Sequence, residues 1–521
     1  MKFSPSLSLT LLTFFILGAS MAMGDDVLHH SLSLRQALKV EGIRAHQLAF
    51  QQIANDNNNN RMAGSPGYAG SVEYVQKRLR DVGYAVELQN FPIHISGDNT
   101  NPELKMVSPT ERDFLLNQDF LSMNSVGQAE VSAWIEAVDL KIPSPAPNNS
   151  TSGCEPSDFA NFTTGNIALI QRGHCTFRKK IENAIDAQAS GVIIFNEGNE
   201  GRHEAIISRL RPSLPNIPVL GASFATGEVL SNGRQNGPTG IRAVVKVDVS
   251  LQQHMVNNVI AETALGNDNR VVVVGAHLDS VREGPGLNDN GSGSATILEL
   301  AIQYAQLNLS PLNKLRFIWF AAEEFGLLGS AYYVSSLSQE QRSNIMAMLN
   351  FDMLGSSNYA RFVYDGDNSQ ADAPTSIKGS SGSAFIENVF LEYFALKDLI
   401  SHPTSFDGRS DYGPFIEAGI PAGGLFSGAE GIKTPQMAEI YGGTAKAPFD
   451  PCYHKSCDDF VHTGGDSQFD LALKSLDELS SGAAHAMVVL ADTPNDIRTP
   501  QRSLEPASSI EFDYRGNYLL R

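Results

Sequence analysis

Positive charge is scarce in this sequence. Lysine and arginine number 38 against 57 aspartates and glutamates, which leaves a formal net charge of −19. Surfaces that bind nucleic acids or anionic lipids are built from clustered lysine and arginine. The charge balance therefore argues against a nucleic-acid partner or an anionic membrane. Many ordinary secreted proteins are acidic too, so the balance selects no partner by itself.

Long apolar runs are also missing after the first residues. The stretch from Leu7 to Ser20 follows a single early lysine and is shorter than the roughly 20 residues that a membrane span requires. Small residues follow it near Ala22 and Gly24, as in a signal peptide. We therefore predict a signal peptide over residues 1–24 and no membrane span. The protein is expected to be secreted, or delivered to another secretory-pathway compartment such as a vacuole.

Cysteine is rare, with four residues in the whole chain. An even number in a secreted protein predicts two disulfides, and the spacing favours the local pairs Cys154–Cys175 and Cys452–Cys457 among the three pairings that four cysteines allow. A zinc site made of all four is disfavoured, because the sequence has no close C-x2-C pair. Sequons that a eukaryotic host could glycosylate stand at Asn148, Asn149, Asn161, Asn290 and Asn308.

The pattern of apolar residues predicts an α/β protein. A chain of 521 residues is long enough for two or three domains. From about residue 256 the sequence alternates strand, loop and helix, with near-continuous apolar strands over 270–278, 314–324, 347–354 and 420–426. Strands that are apolar on both faces and alternate with helices predict a largely parallel sheet covered on both sides.

Polar residues that can bind a metal ion or move a proton stand near the ends of these strands. They are His277 at the end of the first strand, Asp289 in the glycine-rich loop "NDNGSG", Glu323 and Glu324 at the end of the second strand, Asp352 at the end of the third, and His454 in "DPCYHKSC". Ligands gather beyond the carboxyl ends of parallel strands. We therefore expect these side chains to meet in one cleft.

Each of these residues also has an ordinary structural interpretation, such as a hydrogen-bonded histidine, an Asx-rich turn, solvated glutamates or a helix cap. However, several carboxylates in one cleft would repel each other strongly unless they were protonated or neutralised. A pair of divalent metal ions removes that repulsion. Two histidines with three carboxylates suit zinc, which accepts imidazole nitrogen and carboxylate oxygen.

Longer motifs around these residues carry a family resemblance. They are "GAHLDS", "NDNGSG", "AAEEFGLLGS", "NFDMLG", "GRSDYGPFIEAGIPAGGLFSGAE" and "GGTAKAPFDPCYHKSCD", within residues 255–491. They resemble the secreted co-catalytic zinc aminopeptidases, which include bacterial leucyl aminopeptidases and the aminopeptidase Y group. "IALIQRGHCTF" and "GVIIFN", within 154–235, resemble a protease-associated domain. The resemblance implies a three-layer α/β/α zinc-exopeptidase domain with a mostly parallel sheet and an inserted protease-associated domain of mixed β/α structure.

The resemblance also divides the chain. We predict an N-terminal part of the peptidase domain at 25–130, whose first residues could be a removable pro-segment. The protease-associated insert follows at 131–250, the zinc peptidase catalytic domain at 251–495, and a C-terminal tail at 496–521.

The same resemblance implies a ligand set for two zinc ions in each chain. Asp289 would bridge the two ions. His277 and Asp352 would complete one site, and Glu324 and His454 would complete the other.

Three further residues receive roles near the metal ions. The resemblance implies that Glu323 is the general base and that Tyr453 stabilises the oxyanion of the tetrahedral intermediate. Asp279, two residues after His277, is a candidate to orient the imidazole, or alternatively a capping residue in the turn. Tyr453 could instead only pack beside a disulfide.

Four residues are implied in substrate binding. Arg409 matches the corner of the family's site that binds the substrate amine, while Met353, Gly408 and Phe426 match positions that line the pocket for the first side chain. The alternative for Met353 and Phe426 is an ordinary place in the core. If they line the pocket, it is apolar and favours leucine-like residues.

The predicted function is therefore that of a secreted, monomeric metallo-aminopeptidase acting on peptides with a free N-terminus. One alternative is a carboxypeptidase of the same superfamily, which would need arginine or lysine to hold the substrate carboxylate. A glutaminyl cyclase-like transferase shares the fold, but the full two-metal set argues against it. The last alternative is a receptor or scaffold that has lost catalysis, although none of the expected ligands is missing.

Overall fold

The computed structural model describes residues 25–123, 127–146, 149–199, 202–206, 217–369, 378–465 and 470–498. The predicted signal peptide, the sequon at Asn148 and residues 499–521 of the predicted tail lie outside these ranges. Within them, no helix combines the length and the apolar character that a membrane crossing needs.

Twelve α-helices are formed in the described residues. They are α1 (Asp25–Ala37), α2 (Val40–Asn55), α3 (Pro66–Asp81), α4 (Phe177–Asp186), α5 (Phe224–Ser231), α6 (Gly291–Gln306), α7 (Leu328–Ser336), α8 (Gln339–Asn344), α9 (Ser381–Leu396), α10 (Tyr412–Glu417), α11 (Pro435–Tyr441) and α12 (Asp470–Asp492).

Fifteen strands in the same residues join into one hydrogen-bonded sheet. They are β1 (Val86–Asp98), β2 (Glu103–Ser108), β3 (Arg112–Asp113), β4 (Phe120–Ser122), β5 (Gly127–Val138), β6 (Ile167–Gln171), β7 (Gly191–Phe195), β8 (Val219–Ala222), β9 (Gly237–Glu262), β10 (Asn267–His277), β11 (Asn313–Phe320), β12 (Ile345–Phe351), β13 (Phe362–Tyr364), β14 (His402–Thr404) and β15 (Ala422–Phe426).

The half of the sheet that contains β10, β11, β12 and β15 lies in the predicted catalytic domain and is here called the catalytic sheet; it is mostly parallel, as predicted. β10 runs parallel to β11 on one side and to β12 on the other, and β12 runs parallel to β15. β9 closes this half as an antiparallel neighbour of β11. The carboxyl ends of β10, β11 and β12 consequently meet at one edge of the sheet.

Both faces of the catalytic sheet are covered, which explains the run of valines in β10. Val272 and Val274 pack into one hydrophobic core, and Val271 and Val273 pack into a second core on the opposite face. Side chains alternate between the two faces of a strand. Four consecutive valines are therefore all buried, and the strand is held between two helical layers.

The insert repeats this layered design on a smaller scale. β5, β6, β7 and β8 run parallel in that order, and β4 and β9 flank them as antiparallel strands. Successive residues of β6 again alternate between two cores: Ile167 and Leu169 lie in one, Ala168 and Ile170 in the other.

One strand joins the two regions. β9 is 26 residues long. Its first part pairs with β5 of the insert and with β2, which precedes the predicted insert in sequence, and its last part pairs with β1 and β11 of the catalytic sheet. The predicted boundary between residues 250 and 251 therefore falls inside a continuous strand.

The first two helices belong to the main core. α1 packs against α12, and α2 packs against α6. Leu34, Ile43 and Phe50 are fully buried in the same core as Val272. If residues 25–60 were the predicted pro-segment, its removal would expose this apolar surface.

Candidate active site

His277 is the last residue of β10 and is 1 % exposed. Its Nε2 lies 3.2 Å from Oδ1 of Asp289 and 3.2 Å from Oδ1 of Asp352. Its Nδ1 lies 3.1 Å from the backbone oxygen of Asp279, to which it can donate a hydrogen bond. Asp352 directly follows β12, so two neighbouring parallel strands deliver these two side chains to one point.

Asp289 lies in the loop between β10 and α6, where it reaches both halves of the cluster. Its Oδ2 lies 3.1 Å from Nε2 of His454, while Oδ1 faces His277. The next residue, Asn290, is the N-cap of α6 and accepts a hydrogen bond from the backbone N–H of Gly293 at 2.9 Å. Asn290 is completely buried, so the prediction that its sequon could carry a glycan is wrong.

Glu323 and Glu324 lie in a loop, not at the end of a strand as predicted. β11 ends at Phe320, and Ala322 has a left-handed backbone with φ of 56°. This turn takes the chain out of the sheet, and the backbone N–H of Glu323 donates to Oδ1 of Asp279 at 3.1 Å. The side chains of the two glutamates therefore take their directions from this loop and not from the alternating faces of a strand.

The six residues form two adjoining groups whose potential ligand atoms all lie within 4.8 Å of one another in each group. The groups are His277, Glu323 and Asp352, and Asp289, Glu324 and His454. His454 Nε2 is 3.1 Å from Oε2 of Glu324. The structure therefore brings together all five predicted zinc ligands and the predicted general base.

Burial and mutual charge shift the proton affinities of the acids. Burial, with added repulsion from Glu324 and Asp352, raises the pKa of Glu323 well above its ordinary value, although His277 opposes the shift. Burial likewise raises the pKa of Glu324 to about 7, against the effect of His454 and with repulsion from Asp289. Glu323 and Glu324 therefore keep their protons to higher pH than ordinary glutamates, whereas hydrogen bonds from His277 and His454 outweigh burial and lower the pKa of Asp289.

The pKa values of the two histidines are raised, whereas burial alone would lower them. Burial lowers the pKa of His277, but the charges of Asp352 and Glu323 outweigh it, and the pKa lies well above its ordinary value. The pKa of His454 is also raised, because Glu324 and Asp289 outweigh burial. The surrounding carboxylates therefore favour positive charge at both histidines.

The residues present fit zinc. Oε1 of Glu324 is buried and has no hydrogen-bond partner among the described residues, although its Oε2 faces His454. Burying an unpaired carboxylate oxygen is costly. Two imidazoles and a set of convergent carboxylates are the donors that zinc accepts. A divalent cation here would occupy that oxygen and replace the protons on the histidines.

Tyr453 and Arg409 form one wall of the cleft. The Tyr453 ring stacks on His454 with 3.9 Å between ring centroids, and its hydroxyl accepts a hydrogen bond from Nη2 of Arg409 at 3.2 Å. The Arg409 guanidinium also makes two hydrogen bonds to Glu430, at 2.7 and 3.2 Å. Its positive charge is therefore paired with a carboxylate.

Both predicted disulfide pairs are present. Cys452–Cys457 closes a short loop that contains Tyr453 and His454. Cys154–Cys175 lies in the insert. The first bridge restrains two residues of the cleft, while the second bridge restrains a separate core.

The cavity beside the cluster is lined partly by apolar groups. Met353, Tyr364, Phe426 and Ala429 line it together with the acids. Gly408 is not among the lining residues; its backbone N–H donates to the Tyr412 hydroxyl at 3.1 Å. With a φ of 79°, Gly408 permits a turn that a side chain would strain.

Two residues that contact the cluster were not predicted. Ser410 donates a hydrogen bond to Oδ2 of Asp352 at 2.5 Å. Asp458 accepts the backbone N–H groups of Asn288 and Asp289 at 2.7 and 2.9 Å. Ser410 follows Arg409 and Asp458 follows Cys457, so both lie within motifs that resemble the family. Their position in these motifs is the only sign of a role that the sequence gives.

Comparison with known proteins agrees with this architecture. Residues 258–470 match the model of peptidase family M28, and residues 140–230 match the PA domain. An aminopeptidase of Pseudomonas aeruginosa is 43% identical over 438 residues, covering 84% of this chain and 79% of the relative. Leucine aminopeptidase 2 of Trichophyton equinum is 36% identical over 433 residues, covering 81% and 79%.

A solved structure shows the same fold. BSAP, described as a zinc aminopeptidase from Bacillus subtilis, superposes with a TM-score of 0.64 at 23% identity, covering 90% of this chain and 99% of that one. The fold, the PA domain and the long alignments with aminopeptidases agree. The chain therefore belongs to peptidase family M28 and is an aminopeptidase of that family with a PA domain.

Proposed function

We propose that this chain is a secreted enzyme that removes leucine-like residues from the free N-terminus of peptides and that it holds two zinc ions. The observation that carries the proposal is the pair of adjoining groups around Asp289, in which two imidazoles and several carboxylates converge in one cleft. Such a concentration of buried acids is stable in its ionised form only beside cations.

The ligands are assigned from the contacts. His277 and Asp352 would hold one ion, Glu324 and His454 would hold the other, and Asp289 would be shared by both. The two oxygens of Asp289 already face the two histidines separately, which supports this division. Zinc held by these residues would supply Lewis-acid chemistry, activating a water molecule and polarising the scissile carbonyl.

Glu323 is the general base, which transfers the proton of the attacking water. Its carboxylate lines the cavity, is 5 % exposed, and has a raised pKa because it is buried among other acids. A general base works best when its pKa is near the working pH. Glu323 accepts the proton of the attacking water and delivers it to the leaving amine.

Tyr453 stabilises the oxyanion, and Asp279 orients His277. The Tyr453 hydroxyl accepts its bond from Arg409 and so keeps its own proton available for donation into the cleft. The backbone oxygen of Asp279 lies within reach of His277 Nδ1, which supports Nε2 as the ligand atom.

The charge around the cleft favours an ammonium group over a carboxylate. Glu323, Asp352 and Arg409 all line the cavity, but the Arg409 guanidinium is paired with Glu430. A carboxypeptidase would need an available cation to hold the C-terminus of the substrate. The pairing of Arg409 therefore supports the aminopeptidase over its carboxypeptidase alternative and assigns Arg409 to positioning Tyr453.

The side-chain pocket supports a leucine-like preference. Met353, Phe426 and Tyr364 give it apolar walls. Gly408 contributes through its backbone turn, since it does not line the cavity. The fungal relative named leucine aminopeptidase 2 supports the same preference.

Secretion is supported by the two disulfides, which form in oxidising compartments. The sequons at Asn149, Asn161 and Asn308 are on exposed residues and are accessible to glycans. We propose a monomer, a predicted signal peptide over 1–24, and glycosylation at these three positions in a eukaryotic host.

The test compares three substrates on protein with a measured zinc content. Leucyl-p-nitroanilide is expected to be cleaved, N-acetyl-leucyl-p-nitroanilide is expected to resist, and glutamyl-p-nitroanilide is expected to be cleaved slowly. Metal analysis is expected to find two zinc ions per chain. Cleavage of the blocked substrate, or none by the zinc-loaded protein, would reject the proposal; equal rates on all free amines would reject only the leucine preference.

A further inference from the structure

Asp458 binds the backbone beside the bridging carboxylate. It is 2 % exposed and directly follows the disulfide-bonded Cys457. Its Oδ1 accepts the N–H of Asn288 at 2.7 Å, and its Oδ2 accepts the N–H of Asp289 at 2.9 Å. Its own backbone oxygen accepts the N–H of Leu287 at 3.0 Å. Three consecutive N–H groups of the Asp289 loop are thus bound by one residue.

The loop that carries Asp458 also carries His454. Asp450, at the other end of this loop, accepts a hydrogen bond from the Asn288 side chain at 2.5 Å. The disulfide between Cys452 and Cys457 closes the loop between these two contacts. The two ends of the 450–458 loop therefore both form hydrogen bonds with the Asp289 loop, and His454 lies between these two contacts in sequence.

We infer that Asp458 is a positioning residue, which sets the distance between the Asp289 carboxylate and the His454 imidazole so that both can bind the same zinc ion. The inference rests on the proposed function of these two residues as ligands. Their facing atoms, Oδ2 and Nε2, are 3.1 Å apart, although the residues are far apart in sequence. Asp458 is the residue that links the two loops through hydrogen bonds to the backbone.

The chemistry of the link requires a carboxylate. Two adjacent N–H donors need two acceptor oxygens, and aspartate supplies both. In Asp458→Asn, an amide NH2 would face one of the N–H groups, so that two donors oppose each other in a buried place. The Asp289 loop would be displaced while the side-chain volume is unchanged.

A purely structural role would give a different result, and the insert provides the matched control. Glu136 is also 2 % exposed, and its Oε2 accepts the backbone N–H of Thr163 at 3.1 Å and the Asn166 side chain at 2.9 Å. Glu136→Gln likewise replaces a buried carboxylate by an amide in a site that contains no proposed ligand, and its amide oxygen can take the place of Oε2 and still accept both bonds. Thermal melting reports any loss of stability in either variant, and only Asp458→Asn should lose zinc.

The experiment measures zinc affinity by competition with a chelating dye in the full chain. Wild type, Asp458→Asn, Glu136→Gln and Asp289→Asn are compared, and thermal melting of each metal-free protein reports stability. Groups that orient metal ligands typically contribute about 10–100-fold to affinity. We expect Asp458→Asn to weaken zinc binding by about tenfold or more and Glu136→Gln to leave it unchanged.

The outcomes are distinguishable. If Asp289→Asn binds zinc as tightly as wild type, the proposed metal site is wrong. If Asp289→Asn loses zinc while Asp458→Asn keeps wild-type affinity, only the positioning role is overturned. Should Asp458→Asn fail to fold, Asp458→Glu retains both acceptor oxygens but moves them by one methylene. Wild-type zinc affinity in a folded Asp458→Glu would overturn the positioning role as well.

Discussion

The catalytic sheet and the insert share one architecture but treat the polar residues at their strand ends differently. In the insert, Arg172 follows β6, Asn196 follows β7 and Ser223 follows β8. Arg172 donates to Asn196, and Ser223 accepts the N–H of Thr226 as a helix cap. Each of these groups has a hydrogen-bond partner nearby, whereas the acids around Asp289 converge as like charges.

The same layered fold therefore carries a reactive cluster in one region and only paired polar groups in the other. Both regions have parallel strands between helical layers, and both place buried polar side chains beyond the strand ends. Function depends on the groups a fold presents and not on the fold itself. In the insert, Glu197 forms an ion pair with Arg202. In the catalytic region the acids raise the pKa values of two histidines, and Glu324 retains a buried oxygen with no hydrogen-bond partner among the described residues.

The largest expected effect comes from Glu323→Gln. The amide cannot accept the proton of the attacking water, so we expect kcat to fall by about 10²–10⁴-fold. Zinc content should remain as in wild type, because Glu323 is assigned to the proton and not to the metal. Steady-state kinetics with leucyl-p-nitroanilide and metal analysis of the same sample provide the measurement.

The matched change in the insert is Glu136→Gln, which removes a buried carboxylate from a place with no metal ligands. We expect its kcat to stay within about twofold of wild type, since the change moves no reacting group. If Glu136→Gln lost as much activity as Glu323→Gln, the contrast between the two regions would fail. Full activity in Glu323→Gln would remove that residue from its role.

The two disulfides offer the next test of the contrast. Replacing both Cys452 and Cys457 by serine frees the loop that carries Tyr453 and His454, and we expect activity to fall by about tenfold or more. Replacing Cys154 and Cys175 should lower the free energy of unfolding of the insert by about 3 kcal/mol, with little change in kcat. Urea denaturation and kinetics on both double variants measure the two effects. Equal loss of activity in both would show that the insert supports the cleft directly.

The predictable part of the site consists of residues at the ends of buried strands. His277 is the last residue of β10 and Asp352 directly follows β12, and apolar periodicity indicates both ends, although the predicted strands continued to residues 278 and 354. Glu323 and Glu324 were misplaced on β11 because the chain leaves the sheet at Ala322. Alanine gives no sequence signal for a left-handed turn, since glycine or asparagine is the usual residue there.

Contacts between distant loops could not be read from the sequence. Asp458 reaches Asn288 across 170 residues, and only the folded loops bring the carboxylate to those N–H groups. β9 was not predicted as one strand because its two ends belong to different cores. The buried sequon at Asn290 fails for the same reason, since a motif gives no information about burial.

Zinc affinity should depend on pH through Glu324. Burial raises its pKa to about 7, so the metal-free protein holds a proton there below pH 7 that zinc must displace. We expect affinity to fall by about tenfold per pH unit below 7 for each proton displaced. Calorimetry in buffers of different ionisation enthalpy counts the protons released. Affinity that is constant from pH 5 to pH 8 would contradict this assignment.

The insert should respond to pH in a different range and with the smallest effect. Lys180 is fully buried, its ammonium lies 2.5 Å from the backbone oxygen of Ser152, and burial lowers its pKa to about 7. Between pH 7 and the ordinary lysine value of 10.5, the unfolded chain binds more protons than the folded one. The free energy of unfolding therefore rises with pH in that window.

Lys180→Met should flatten this rise without changing zinc affinity or kcat. The chain has two tryptophans, Trp134 on β5 in the insert and Trp319 on β11 in the catalytic sheet. In Trp319→Phe, urea denaturation followed by fluorescence reports the insert; in Trp134→Phe it reports the catalytic region. We expect Lys180→Met to alter the pH dependence only in the first background. An equal change in both backgrounds would mean that the two regions, which share β9, unfold as one unit. They would then differ in the chemistry of their polar groups but not in their stability.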